Sequence, residues 1–180
     1  MENESKILTM EYSKLYLDAV KFAVWRHALN MYDDEPYYIH FEDLEQVLRD
    51  HSEDDEESLI DAQLHDVIED GGVSYNQVKE RFGFGHAEVS YLCSDNKGRN
   101  RDSRKNQAFY DEIKLSKFRL RVTKVKVADR LANARRSIKN GHSMGKKYIK
   151  EHPHFREQLY VPGHIVSMWA ELDKLMEYGA

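Results

Sequence analysis

Four residues within one short stretch, LHDVIED at 64–70, carry side chains suited to holding a divalent cation: His65, Asp66, Glu69 and Asp70. The apolar stripe Ile60, Leu64, Val67 and Ile68 predicts a helix from Ser58 to Asp70. That helix would place Glu69 one turn beyond His65 and Asp70 one turn beyond Asp66. A buried carboxylate is costly unless a metal, a cation or a hydrogen-bond network meets it, and one metal ion satisfies His65 and Asp66 together. The alternative is an ordinary helix end whose acidic residues face water, stopped by Gly71 and Gly72.

Two other segments offer partners. The stretch 116–138 has one apolar stripe of Phe118, Val122 and Val125 and another of Leu120, Val127, Leu131, Ala134 and Ile138, which predicts a central helix buried on two faces. Asp129 and Asn133 continue the first stripe, so a carboxylate and an amide occupy interior positions; Asp129 is then either paired, with Arg130 or Arg135, or a ligand. His40 follows the irregular segment DDEPYYI at the start of a helix. His40, His65, Asp66 and Asp129 together would make a site of two imidazoles and two carboxylates, which suits manganese, iron or zinc better than calcium.

The elements that must position these groups are helical. Tyr12, Leu15, Tyr16, Ala19, Phe22 and Ala23 mark a helix from about Thr9 to about Met31, a face that His27 extends, and Pro36 breaks the helical pattern beyond it. A helix over Phe41 to Asp50 precedes the acidic loop DHSEDDEE, which reads as a solvated segment. Ser74 and Gln77 have the form of a capping box that starts a helix ending near Gly83, and another helix covers His86 to Cys93. Residues 94–104 lack apolar periodicity and read as an exposed loop, a candidate lid whose Lys97, Arg99, Arg101, Arg104 and neighbouring Lys105 would meet negative charge. His164 to Tyr178, with Ile165, Met168, Trp169, Leu172, Leu175 and Met176 in helical register, closes the chain.

Composition agrees with this plan and removes other classes. The chain of 180 residues fits one domain, and 41% hydrophobic content with three prolines and nine glycines favours a mostly helical globule over a disordered or strand-rich chain. A lone Cys93 excludes an internal disulfide, the start MENESKILTM lacks a secretory pattern, and no apolar run is long enough for a bilayer, so the cytosol is the expected compartment. A net charge of −5 disfavours a nucleic-acid partner, and nothing in the sequence specifies an oligomer.

The order PYYIH, LHDVIED, VKVADRLANAR resembles the HD superfamily, specifically the hydrolase domain of the RelA/SpoT family and its stand-alone small alarmone hydrolases, which carry PYI-x-HP, HDxxED and ADR-x-x-N in that order. FGFGHAEVSYL echoes a further family segment, and the resemblance covers about residues 20–140, with helices over 142–178 expected to pack on that core. It implies a single-domain all-α HD-type helical bundle. By residue-to-residue match His40, His65, Asp66 and Asp129 would bind the metal, expected to be Mn2+, with Fe2+ or Zn2+ as alternatives. Glu69 and Asp70 would be the catalytic acidic pair, and Asn133 would contact the nucleotide. Arg130 and Arg136, with the basic loop, would meet its phosphates.

The implied reaction is removal of the 3′-diphosphate from guanosine 3′,5′-bis(diphosphate). Alternatives are hydrolysis of another small phosphorylated nucleotide, such as a nicotinamide dinucleotide 2′-phosphate, a deoxynucleotide or a cyclic nucleotide, and nucleotide sensing without cleavage. The chain departs from the family at Met31 and Tyr32, where a basic pair is usual, at Phe41, where a proline is usual, and at Arg136 and Ser137 after the third motif.

Overall fold

The computed structural model describes residues 12–94, 106–139 and 143–178, and nine helices lie among them. They are α1 (Lys14–Arg26), α2 (Tyr38–Asp50), α3 (Glu56–Leu64), α4 (Tyr75–Phe82), α5 (Phe84–Cys93), α6 (Gln107–Leu115), α7 (Arg119–Lys139), α8 (Ser143–Leu159) and α9 (Val166–Tyr178). Between α1 and α2 a two-stranded antiparallel hairpin pairs β1 (Met31–Tyr32) with β2 (Glu35–Pro36). The architecture is all-α. No helix among the described residues is long and apolar enough to cross a membrane.

The helix starts follow from local chemistry. Ser13, Asp55 and Asn106 accept the backbone N–H three residues on, which satisfies one of the donors a helix start leaves open. Ser74 and Gln77 form the predicted capping box. The described part of the first predicted helix runs only to Arg26, whereas the sequence suggested about Met31; residues 1–11 lie outside the description. The chain then turns into the hairpin. Tyr37 N–H bonds back to Asn30 O, closing the hairpin, and Asp33 turns it at φ 54°.

The apolar pattern of α7 predicts its place. Val122, Val125, Val127, Leu131 and Ala134 are all buried, and α2, α3, α5, α8 and α9 pack around it. Leu120, at the helix start, is 50% exposed, and Phe118 and Ile138 are partly buried. The buried apolar residues of the N-terminal helices and of α8 and α9, Trp169 and Leu172 included, form one cluster.

Arg135 ties three helices together, donating to both carboxylate oxygens of Glu171 on α9 at 2.7 and 2.8 Å and to Asp50 on α2 at 2.7 Å. Chiefly through Arg135, the Glu171 carboxyl is held below its ordinary value of 4.5. A depressed folded-state value stabilises the fold above the unfolded value and loses that contribution as pH falls through the folded one. Thermal midpoints from about pH 6 down to about pH 3 are therefore expected to fall less steeply in Glu171→Gln than in wild type, with the difference confined to pH below about 4.5.

Candidate metal centre

The helix through LHDVIED stops earlier than its periodicity suggests: α3 ends at Leu64, and residues 65–70 form successive turns. Two side chains cause this. His65 Nδ1 donates to Ala62 O at 2.7 Å and Ser90 Oγ to Leu64 O at 2.6 Å, so carbonyls that would carry the helical ladder onward are already engaged. Arg26 and Asn30 then pin the turn, donating to the carbonyls of Gly71 and Gly72 and to that of Asp70 respectively.

This local break aims the polar groups at one point. His65 Nε2 lies 2.9 Å from Asp66 Oδ2 and 3.3 Å from His40 Nε2, and His40 Nε2 lies 3.3 Å from Asp129 Oδ1. His40 comes from the first turn of α2, His65 and Asp66 from the turns that follow α3, and Asp129 from the middle of α7. One ligand atom each from His40, His65 and Asp66 fall within 4.8 Å of one another. Donors that share a cation at 2.0–2.2 Å stand roughly 3.0–3.5 Å apart, so the contacts of 2.9–3.3 Å suit a divalent transition metal, whereas His40 Nε2 and Asp66 Oδ2 stand 4.0 Å apart and Asp129 falls outside the group of three. The donation of His65 Nδ1 to a backbone carbonyl also fits, because it turns Nε2 toward the site.

Burial disfavours charge on His65, Asp66 and Asp129, and their partners overcome it. Against the effect of burial, the Asp66 and Asp129 carboxylates push His65 up to about 9. Burial raises the Asp66 carboxyl, but His65, His40 and the Tyr37 hydroxyl hold it well below the usual carboxylate range. Burial likewise raises Asp129, and the hydrogen bond from His40 does most to lower it.

The four groups open into a cavity of about 180 Å³ lined also by Tyr32, Tyr37, Glu69, Asp70, Lys126 and Arg130. Glu69 and Asp70 are exposed at its rim, on the turn that follows Asp66. Asn133 lies on the wall, donating to Asp129 and accepting from Tyr32 Oη at 2.9 Å. Arg130 is buried against the Tyr148 and Phe155 rings and donates to Glu151 at 3.2 Å. Arg136 does not line the cavity; its guanidinium sits over the Tyr32 ring and is bound by Asp33, Glu35 and Asp43. Lys97, Arg99, Arg101, Arg104 and Lys105 lie outside the described residues.

Sequence reasoning did not single out Lys126, Tyr148 or Phe155. Lys126 stands three residues before Asp129 on α7, a spacing that signals a shared face, and its Nζ donates to Cys93 O at 2.8 Å. Tyr148 and Phe155 reach the cavity from α8, which no local motif announces. Cys93 is buried, as expected of a small core residue, although it also touches the cavity wall.

The described helices form an all-α bundle in which α2, the turn after α3, and α7 bring His40, His65, Asp66 and Asp129 to the wall of one cavity. Among solved structures the chain is similar to a metazoan ortholog of SpoT, described as hydrolysing ppGpp and playing a role in starvation responses, with a TM-score of 0.77 and 23% identity over 92% of this chain and 96% of that one. A likeness of this extent establishes the fold. No protein-family model matches the chain, and no curated protein does either.

Proposed function

We propose that the protein is a metal-dependent phosphohydrolase that acts on guanosine 3′,5′-bis(diphosphate), adding water to release pyrophosphate and leave guanosine diphosphate with a free 3′ hydroxyl. The observation that carries this reading is the convergence of His40, His65, Asp66 and Asp129 beside Glu69 and Asp70. The likeness to a solved ppGpp hydrolase over nearly the whole chain supports the choice of substrate.

In this reading His40, His65, Asp66 and Asp129 hold one divalent ion, manganese by preference, in a cytosolic enzyme. Such an ion supplies Lewis acidity toward phosphoryl oxygens and lowers the pKa of water. The chain supplies the rest. Glu69 and Asp70, exposed at the cavity rim, orient the attacking water and take its proton. Lys126 and Arg130 bring positive charge to the cavity wall, where the phosphates would lie. The cavity is smaller than the roughly 300 Å³ at which small-molecule pockets begin, so the phosphoryl end enters it and the nucleoside stays at the mouth, near Tyr32 and Asn133.

Glu69→Gln keeps the size of the side chain and removes its basicity. It is expected to lower kcat by about 10²–10⁴-fold while metal content stays at the wild-type level. Unchanged kcat would remove Glu69 from the proton-handling role. Substrate choice is tested by kcat/KM across guanosine 3′,5′-bis(diphosphate), a nicotinamide dinucleotide 2′-phosphate, a deoxynucleoside triphosphate and a cyclic nucleotide. The first is expected to be turned over best, and a higher value for any other reassigns the substrate.

A further inference from the structure

We propose that Tyr37 is a positioning residue of the metal centre, orienting Asp66 through its hydroxyl, and that the ring of His27 holds Tyr37 in place for this task. The inference rests on the metal-centre reading and adds two residues to it.

Tyr37 immediately precedes α2, three residues before His40, so one short stretch delivers both an imidazole and a phenol to the same point. Its hydroxyl donates to Asp66 Oδ2 at 2.5 Å. That oxygen is the one that approaches His65 Nε2 at 2.9 Å and His40 Nε2 at 4.0 Å, so the phenol holds the atom that faces both imidazoles. A carboxylate with no such partner rotates freely between its two oxygens; a fixed donor on one of them selects a single orientation.

The phenol is itself fixed on several sides. The His27 ring lies nearly parallel to it, with centroids 4.6 Å apart and planes at 11°, and Phe41 and His40 meet it edge-on at 5.4 and 5.5 Å. His27 is anchored by Nδ1 at 3.0 Å from Ala23 O. Behind it stands the backbone of Gly71, where an added Cβ would lie 3.1 Å from His27 Cε1 and 2.7 Å from Val67 O. Gly71 belongs to the same turn that carries Asp66. Gly71, His27, Tyr37 and Asp66 therefore form a closed circuit of contacts in which the ligand's own turn supports the ring that orients it.

The test is Tyr37→Phe, which keeps the ring and its stacking on His27 and deletes only the hydroxyl. The Mn2+ dissociation constant, read from free Mn2+ by electron paramagnetic resonance, is expected to rise about 10–100-fold. The thermal midpoint of the metal-free protein is expected to stay at the wild-type value, and saturating Mn2+ to restore most of kcat with the nucleotide KM unchanged. Tyr38→Phe, at the neighbouring exposed tyrosine, should leave all three readings as in wild type. A wild-type Mn2+ constant in Tyr37→Phe overturns the inference alone. So does weaker binding matched by a lowered midpoint of the metal-free protein, since the hydroxyl would then serve the fold. A wild-type chain that takes up no divalent metal overturns the metal-centre reading, and this inference with it.

Discussion

Asp66→Asn is expected to abolish divalent-metal uptake and nucleotide hydrolysis together while leaving the helical fold intact. Asparagine matches aspartate in volume, and its amide oxygen still accepts the Tyr37 hydroxyl, so the turn after α3 keeps its local packing. What it lacks is the negative charge that faces both imidazoles from 2.9 and 4.0 Å. Neutral amides are poor ligands for transition metals beside imidazole, and removing one of two carboxylates halves the anionic charge of the site. Metal content of the purified variant, turnover after metal stripping and reloading, and far-UV circular dichroism check the three parts of this expectation. Turnover retained after reloading would show that Asp66 is not a ligand the reaction depends on.

The largest effect on stability is expected five residues earlier. Asp61 on α3 is 1% exposed, accepts two hydrogen bonds at 2.8 Å from Arg121 on α7, and lies 2.7 Å from His86 Nδ1 on α5. It ties three helices together in a place that water barely reaches. Asp61→Ala would leave the Arg121 guanidinium without its buried carboxylate, keeping Glu57 at 2.8 Å and His86 Nδ1 at 3.2 Å. Removing one member of a buried ion pair costs about 3–5 kcal/mol, and the lower figure fits because the Arg121 side chain is 20% exposed. For a chain of this length about 3 kcal/mol corresponds to a midpoint lower by roughly 6–12 °C. Metal affinity measured well below that midpoint should be unchanged, because Asp61 faces Arg121 and not the cavity. The two aspartates of one seven-residue stretch, DAQLHDV, thus divide between stability and chemistry, and a midpoint unaffected by Asp61→Ala would contradict that division.

Much of the site is legible in the amino-acid sequence alone. The HDVIED stretch, the Asp129 that continues an apolar stripe of α7 and the histidine after PYYI are local signals; the fold clusters His40, His65 and Asp66 and sets Asp129 against His40 on the same cavity wall. The capping box at Ser74 and the two-sided burial of α7 also read directly from side-chain type and spacing. The failures share a different character. The stop of α3 at Leu64 depends on Ser90, 26 residues away, and the period of 3.6 carries no trace of that partner. Arg136 reads as a cation available to phosphates, but Asp33, Glu35 and Asp43 reach it from the hairpin and α2, 93 to 103 residues distant in sequence. Asp61 occupies a polar-looking position of α3 whose burial only the packing of α5 and α7 creates. Periodicity reports what each helix can do alone, whereas these contacts arise from which helices meet.

The hairpin gives the departures at Met31 and Tyr32 a structural meaning. Tyr32 donates to Asn133, lies 4.7 Å from the His40 ring and rests on the Arg136 guanidinium. A neutral aromatic wall, backed by acidic residues around a single arginine, stands where a basic pair is usual in the family the sequence resembles. Positive charge at the cavity comes instead from Lys126 and Arg130 of α7.

The most direct test of the central claim is to incubate the purified, manganese-loaded protein with guanosine 3′,5′-bis(diphosphate) and to resolve the products by anion-exchange chromatography. Guanosine diphosphate and pyrophosphate are expected in equal amounts, dependent on the metal. Intact substrate after prolonged incubation with protein shown to hold its metal would contradict it.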